Sequence, residues 1–82
     1  MTANQAYKAI KERNKGAVCI ECQDFGDFYG FVFVPKGTPK GEAIGGAYDT
    51  VDKKTGKIST YNPITNLALL DKAVPVDLAT LS

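Results

Sequence analysis

The sequence predicts an α+β domain in which an N-terminal helix packs on a four-stranded antiparallel sheet built of two hairpins, with a short C-terminal helical segment. Apolar residues recur at helical spacing near the N-terminus, and two pairs of strand-like segments are each joined by a short run of turn residues. A chain of 82 residues has the usual length of one domain, so residues 1–82 are interpreted as a single α+β domain.

The first predicted element is an amphipathic helix within residues 1–15. Thr2 and Gln5 have the spacing of a capping box, in which each side chain accepts a hydrogen bond from the other residue's backbone N–H. Gly16 suits a left-handed residue after the helix end. The predicted buried stripe comprises Ala3, Ala6, Tyr7 and Ile10. Lysines near the helix end indicate either a solvated surface that matches the helix dipole or a patch for phosphate or an acidic partner. They are Lys8, Lys11 and Lys15.

The most continuously apolar stretch, residues 28–34, predicts the central strand of the sheet. Alternation places one set of aromatic side chains on one face: Tyr29, Phe31 and Phe33. The other face carries Phe28, Gly30, Val32 and Val34. Because both faces are apolar, each needs a cover, which is either the domain's own helix or a partner chain.

Residues 17–25 alternate in polarity and predict a strand that folds back on the central strand through a turn at residues 24–27. Within this strand, Cys19 and Cys22 have the C-x-x-C spacing of redox and zinc sites. Strict alternation puts the two thiols on opposite faces, and a structural zinc site would need two further ligands. We therefore interpret both cysteines as small, reduced strand residues.

Residues 35–46 contain two prolines and four glycines, which predict an exposed loop. A second hairpin follows, with strands within residues 47–52 and 57–62. Gly56 has the position of the glycine that closes a type I turn with a bulge.

The remainder of the chain gives shorter signals. Asn62 and Pro63 predict the cap and first residue of a helical segment that reaches residue 70. Residues 74–76 are predicted to be extended because they contain a proline flanked by valines. Residues 77–82 are interpreted as a last helical turn or a frayed end.

Residue types suited to catalysis are scarce. The chain has no histidine, which is the usual general base and the commonest metal ligand. Two carboxylate pairs, Asp24 with Asp27 and Asp49 with Asp52, flank turns, where aspartate is expected for its hydrogen bonds to the backbone. The loop glycines lack the Gly-Lys-Ser/Thr triplet of a phosphate-binding loop. We therefore predict a protein that is not an enzyme and has no catalytic residue, metal or cofactor.

The charge balance and hydropathy restrict the partners. Ten basic and nine acidic residues give a formal charge of +1, which argues against nucleic acid because its binding depends on neutralising phosphates. No apolar run approaches the roughly 20 residues that cross a bilayer. The N-terminus also lacks the apolar core of a signal peptide. The predicted location is the cytoplasm, without a membrane partner.

The chain combines a leading helix, a strand beside an aromatic strand, a Gly-rich loop and a run from Tyr48 to Lys57 that leads into Asn62-Pro63. In this arrangement it resembles the small helix-plus-meander proteins encoded among prophage genes. The chain is also similar to small immunity proteins of bacterial toxin systems, which share the valine-acid-lysine-lysine-threonine-glycine turn between two strands. The resemblance implies a bacterial or phage protein that acts by binding another protein, and it supplies no catalytic residues.

The sequence therefore favours a non-catalytic binding or assembly module whose partner is another protein or a second copy of the chain. The predicted contact surface joins an aromatic sheet face to the Gly- and Pro-rich loop. It comprises Tyr29, Phe31, Phe33, Lys36, Lys40 and Ile44. One alternative is an immunity protein that neutralises a toxin, and another is a binder of single-stranded nucleic acid that stacks bases on Tyr29 and Phe31. The pattern by itself favours a core position for these aromatic residues, with a protein-contact face and base stacking as the alternatives.

Overall fold

A computed structural model describes residues 1–37, 48–62 and 71–81. In this part of the chain an N-terminal helix packs on an antiparallel sheet of five strands, so the α+β prediction is confirmed and the prediction of four strands is wrong by one. The elements are α1 (Ala3–Glu12), β1 (Ala17–Asp24), β2 (Phe28–Pro35), β3 (Tyr48–Asp52), β4 (Ile58–Tyr61), β5 (Val74–Pro75) and a 3-10 turn (Leu78–Thr80). The sheet order is β4-β3-β2-β1-β5.

Helix α1 begins at the predicted capping box. The Thr2 hydroxyl accepts from the Gln5 N–H at 3.2 Å, and the Gln5 side-chain oxygen accepts from the Thr2 N–H at 2.8 Å. Two of the donors that a helix leaves unpaired at its start are thus satisfied. The helix ends at Glu12, and Gly16 takes the left-handed conformation with φ of +84° before β1 begins.

Both predicted hairpins are present. In the first, the turn between β1 and β2 is held by the Asp24 carboxylate, which accepts from the Gly26 N–H at 2.8 Å. In the second, the Asp52 carboxylate accepts from the N–H groups of Lys54 and Thr55 at 2.8 and 2.9 Å. Gly56 closes this turn with φ of +74°, a conformation that glycine adopts without steric cost.

A β-bulge interrupts the pairing of β1 with β2. Cys19 lies opposite Phe33 and Glu21 lies opposite Val32, so Ile20 is the extra residue. A bulge of this kind turns the following residues over to the other face relative to strict alternation. The prediction that the two cysteines lie on opposite faces is therefore wrong: Cys19 and Cys22 both contact the core on the helix side.

The helix covers the sheet face that carries the side chains of Tyr29 and Phe31. Ala6 and Ile10 of α1 form one buried cluster with these rings, Cys22 and Val51. A second cluster lies on the opposite face, formed by Phe25, Val32 and Tyr48, with half-buried neighbours around it. The sheet therefore has an apolar core on each side, as the two apolar faces of the central strand predicted.

The C-terminal part adds the fifth strand. Val74 and Pro75 are extended, as predicted, and they pair with Asp24 and Gln23 at the end of β1. The Val76 N–H also donates to the Cys22 carbonyl at 3.0 Å. The 3-10 turn Leu78–Thr80 agrees with the predicted last helical turn. Most of the predicted loop and the helical segment after Asn62 fall at 38–47 and 63–70, outside the described residues.

Candidate binding surfaces

Four aromatic rings cluster on the sheet face opposite α1, and we call them the aromatic cluster. Phe25 is central: its ring centroid lies 4.9 Å from that of Phe28, 5.3 Å from Tyr48 and 5.5 Å from Tyr61. The stacked and edge-on geometries are those that aromatic pairs favour. Phe25 is 2% exposed, whereas Phe28 and Tyr61 are half-buried. The cluster thus has a packed centre and partly accessible outer rings.

Gly30 makes room for the centre of this cluster. A Cβ atom at Gly30 would lie 2.6 Å from Cε2 of Phe25 and 3.1 Å from Cδ1 of Tyr48. Carbon atoms in ordinary contact are about 3.5–4.0 Å apart. The Phe25 ring can therefore lie flat over β2 only because residue 30 has no side chain.

One polar pair lies beside the aromatic cluster. The Tyr48 hydroxyl donates a hydrogen bond to the Glu21 carboxylate, which the bulge at Ile20 brings to this face. Burial, followed by the hydrogen bond to Glu21 and the negative charge of Glu21, raises the pKa of Tyr48 above its ordinary value. Tyr48 therefore remains protonated and keeps this carboxylate occupied at neutral pH.

Of the predicted contact residues, the four that the structure describes do not form one exposed surface. Phe31 is fully buried under α1 and Tyr29 is 9% exposed, so these two side chains belong to the core and are withdrawn from contact with a partner. Phe33 is half-buried against Tyr7, with parallel rings 6.3 Å apart. Lys36 is exposed just beyond β2. Lys40 and Ile44 lie outside the described residues.

The burial of Phe31 also changes the nucleic-acid alternative. Stacking of bases requires an open ring face. The Phe31 ring is enclosed, and the Tyr29 ring is covered by the Lys53 ammonium group at 4.6 Å from its centroid. The two rings proposed for base stacking are therefore already occupied by the protein itself.

The two cysteines are free thiols on the same face of β1. Burial raises the pKa of Cys22 to about 12, and burial also raises the pKa of Cys19. The Cys19 thiol donates to the Glu21 carbonyl at 3.3 Å within the bulge. Because the thiolate is the reactive form, both groups are poor nucleophiles at neutral pH.

The carboxylates at the turns serve the backbone and a lysine. Asp24 accepts from the Lys53 ammonium group at 2.7 Å. Partial burial opposes ionisation of Asp24, but the bonds from Lys53 and the Gly26 N–H outweigh it and lower its pKa. Asp49 and Asp52 point to opposite faces of β3, since Asp49 pairs with Phe31 and Asp52 pairs with Phe28. Asp49 and Asp52 therefore do not form a common site, whereas Asp24 and Asp27 both interact with the charge of Lys53.

A groove with a basic rim, which we call the basic groove, lies where α1 ends and β1 begins. Its volume is about 530 Å³, and its lining consists of Lys8, Lys11, Glu12, Asn14, Lys15, Gly16 and Ala17. Lys36 adjoins it, since its backbone N–H donates to the Gly16 carbonyl at 3.1 Å. The structure thus places the backbone of Lys36, just beyond β2, beside the helix-end lysines that the sequence identified.

Sequence reasoning missed most of the aromatic cluster. Phe25 was interpreted as a turn residue, and Tyr48 and Tyr61 only as residues suited to strands. The available signal was the glycine in the central strand, which marks a close approach of another group. The partner in that approach comes from the turn, and no periodic pattern in the sequence identifies it.

A scan of protein-family models, a search of curated proteins and a search of solved structures found no match to this chain. In the described ranges, no helix combines the length and hydrophobicity required to cross a membrane. The same ranges contain no cluster of three or more histidine, cysteine, aspartate or glutamate side chains that could hold a metal ion.

Proposed function

We propose that this chain is a non-catalytic module that binds another protein, or a second copy of itself, through the sheet face carrying the aromatic cluster. The observation that carries the proposal is a difference between the two faces of the sheet. Within the described residues, α1 lies on the face of Phe31, and the opposite face presents the half-buried rings of Phe28 and Tyr61. Partly accessible aromatic rings are enriched at protein interfaces.

The side-chain chemistry supports binding rather than catalysis. The sequence contains no histidine, the two thiols have raised pKa values, and Asp24 and Asp52 accept hydrogen bonds within turns. The resemblance to prophage-encoded proteins and to immunity proteins agrees with a binding role. The bacterial or phage origin that it implies, and neutralisation of a toxin as the specific role, remain predictions.

A charge placed on the aromatic face tests the proposal without removing a packed group. Ser59 is exposed on β4 and shares a small cavity with Phe28 and Thr50, so its side chain lies on the aromatic face. Thr60 is the next residue of the same strand, is also exposed, and points to the opposite face. Ser59→Lys and Thr60→Lys therefore introduce the same charge on opposite sides of one edge strand.

We expect Ser59→Lys to abolish the complex and Thr60→Lys to leave it intact, with both variants unfolding at the same urea concentration as the unmodified chain. Sedimentation velocity measures self-association, and quantitative mass spectrometry measures the amounts of the proteins that are retained on the immobilised chain. The proposal is contradicted if the complex survives Ser59→Lys or is lost equally in both variants. It is also contradicted if the unmodified chain retains no protein beyond those that Ser59→Lys retains.

A further inference from the structure

We propose that the basic groove is the docking site for an acidic polypeptide segment of the partner. This inference rests on the proposed function and adds the chemistry of the partner to it. Its basis is a concentration of positive charge. Three lysines line the groove and Lys36 adjoins it, whereas Glu12 is the one acidic residue in the lining. The whole chain has a formal charge of only +1, so the excess of positive charge at the groove is offset by acidic residues elsewhere in the chain.

Two lysines of the groove are available to a partner. Lys8 and Lys15 are exposed, and the ion pair of Lys15 with Glu12 spans 3.7 Å between strongly exposed side chains. Exposed pairs of this kind contribute at most about 1 kcal/mol and exchange readily for others. Two carbonyls near the helix end are already bonded: the Ile10 carbonyl accepts from the Arg13 N–H and the Asn14 side chain, and the Lys11 carbonyl accepts from the Asn14 N–H. The lysines are therefore not required at these two carbonyls.

The groove lies on the α1 side of the sheet, at the end of β1 next to a residue of the aromatic face. Val18 and Val34 are paired on that face, and the next pair along the ladder joins Ala17, which lines the groove, to Pro35. Val18 is 42% exposed, although it is a large apolar residue. A partner that lies on the aromatic face and extends past the start of β1 to the α1 side meets Val18 and then the lysines, and charge complementarity favours acidic residues in that extension.

A polypeptide fits this groove better than a nucleic acid does. Single-stranded nucleic acids add base stacking to phosphate contacts. The aromatic ring nearest the lysines is Tyr7, and it is occupied by the parallel ring of Phe33 and by the Lys11 ammonium group at 5.6 Å from its centroid. Carboxylates need only cations, which the groove supplies.

Fluorescence anisotropy with three labelled probes tests this inference. The probes are an oligoglutamate peptide, an oligoglutamine peptide of the same length, and an oligothymidylate with the same number of charges. The first variant is Lys8→Gln/Lys15→Gln, which neutralises two lysines of the groove. The matched control is Lys57→Gln/Lys72→Gln, which neutralises two exposed lysines elsewhere and changes the net charge equally.

We expect the chain to bind oligoglutamate, to bind oligoglutamine and oligothymidylate more weakly, and to lose about tenfold in oligoglutamate affinity in the groove variant alone. The inference is overturned if both double variants lose the same oligoglutamate affinity or if the chain does not bind oligoglutamate. It is also overturned if oligothymidylate binds more tightly than oligoglutamate. Ser59→Lys lies on the aromatic face and should leave peptide affinity unchanged. Failure of the peptide assay is therefore distinct from failure of the complex tested with Ser59→Lys.

Discussion

Gly30→Ala is the sharpest test of how the aromatic cluster is packed. The added Cβ would lie 2.6 Å from Cε2 and 3.2 Å from Cδ2 of Phe25, so the ring has to move by about 1 Å to restore ordinary carbon contacts. Phe25 is held by three neighbouring rings and cannot move without disturbing them. Overpacking of this kind costs about 1–3 kcal/mol.

An opposing effect must be subtracted from that cost. The φ angle of Gly30 is not in the left-handed region, so alanine can adopt the same backbone conformation. Replacing glycine by alanine at such a position restricts the unfolded chain and stabilises the fold by about 0.4–1 kcal/mol. We therefore expect a net destabilisation of about 1–2 kcal/mol. In urea this lowers the unfolding midpoint by about 1 M at an unchanged slope.

The assignment of this cost to the Phe25 ring is tested by a double-mutant cycle. Phe25→Leu removes Cε2, the atom that Gly30→Ala approaches most closely, while keeping the position apolar. In the Phe25→Leu background we expect Gly30→Ala to become neutral or stabilising, which reverses the sign of its effect. Equal destabilisation in both backgrounds, or a stabilised single variant, would refute the packing that places Phe25 over Gly30.

Two further predictions concern ionisable groups. The raised pKa of Tyr48 contributes stability that is fully present below the ordinary tyrosine pKa of about 10 and is lost as the pH rises through the higher folded value. The free energy of unfolding, measured in urea, should therefore fall more steeply with rising pH for the unmodified chain than for Tyr48→Phe. The lowered pKa of Asp24 contributes stability that is present above about pH 3.9 and is lost as the pH falls through the lower folded value. Lys53→Ala should therefore cost up to about 1 kcal/mol more at neutral pH than in acid, where only the contact of Lys53 with the Tyr29 ring remains. A cost that does not change with pH contradicts the ion pair with Asp24.

The elements that the sequence predicted well are those determined by neighbouring residues. The capping box needs only Thr2 and Gln5, which lie three residues apart, and its two hydrogen bonds are present as expected. The second hairpin turn needs only Asp52 at its start and Gly56 at its end, and both act as predicted. In each case the physical cause lies within one turn of the chain, so the sequence contains all the information required.

The features that were mispredicted depend on residues distant in sequence. Strict alternation cannot reveal a bulge, because an extra residue in β1 is defined only by its pairing with β2. The fifth strand is two residues long and exists through its pairing with Gln23 and Asp24. Alternation also identified two apolar faces of β2 without indicating which one α1 covers. The contact role of Phe31 depended on that choice, and the helix packs on the face to which Phe31 belongs.

The bulge also affects the chemistry of the proposed interface. By turning the strand at Ile20, it places the Glu21 carboxylate on the face of the aromatic cluster. An unpaired carboxylate at that position would be costly to cover with a partner, because burial of a charge without hydrogen bonds is unfavourable. The Tyr48 hydroxyl donates to this carboxylate within the same chain. Under the proposed function, a partner on the aromatic face would meet apolar rings rather than an unsatisfied charge, and the lysines of the basic groove would provide charged contacts beyond the end of the sheet.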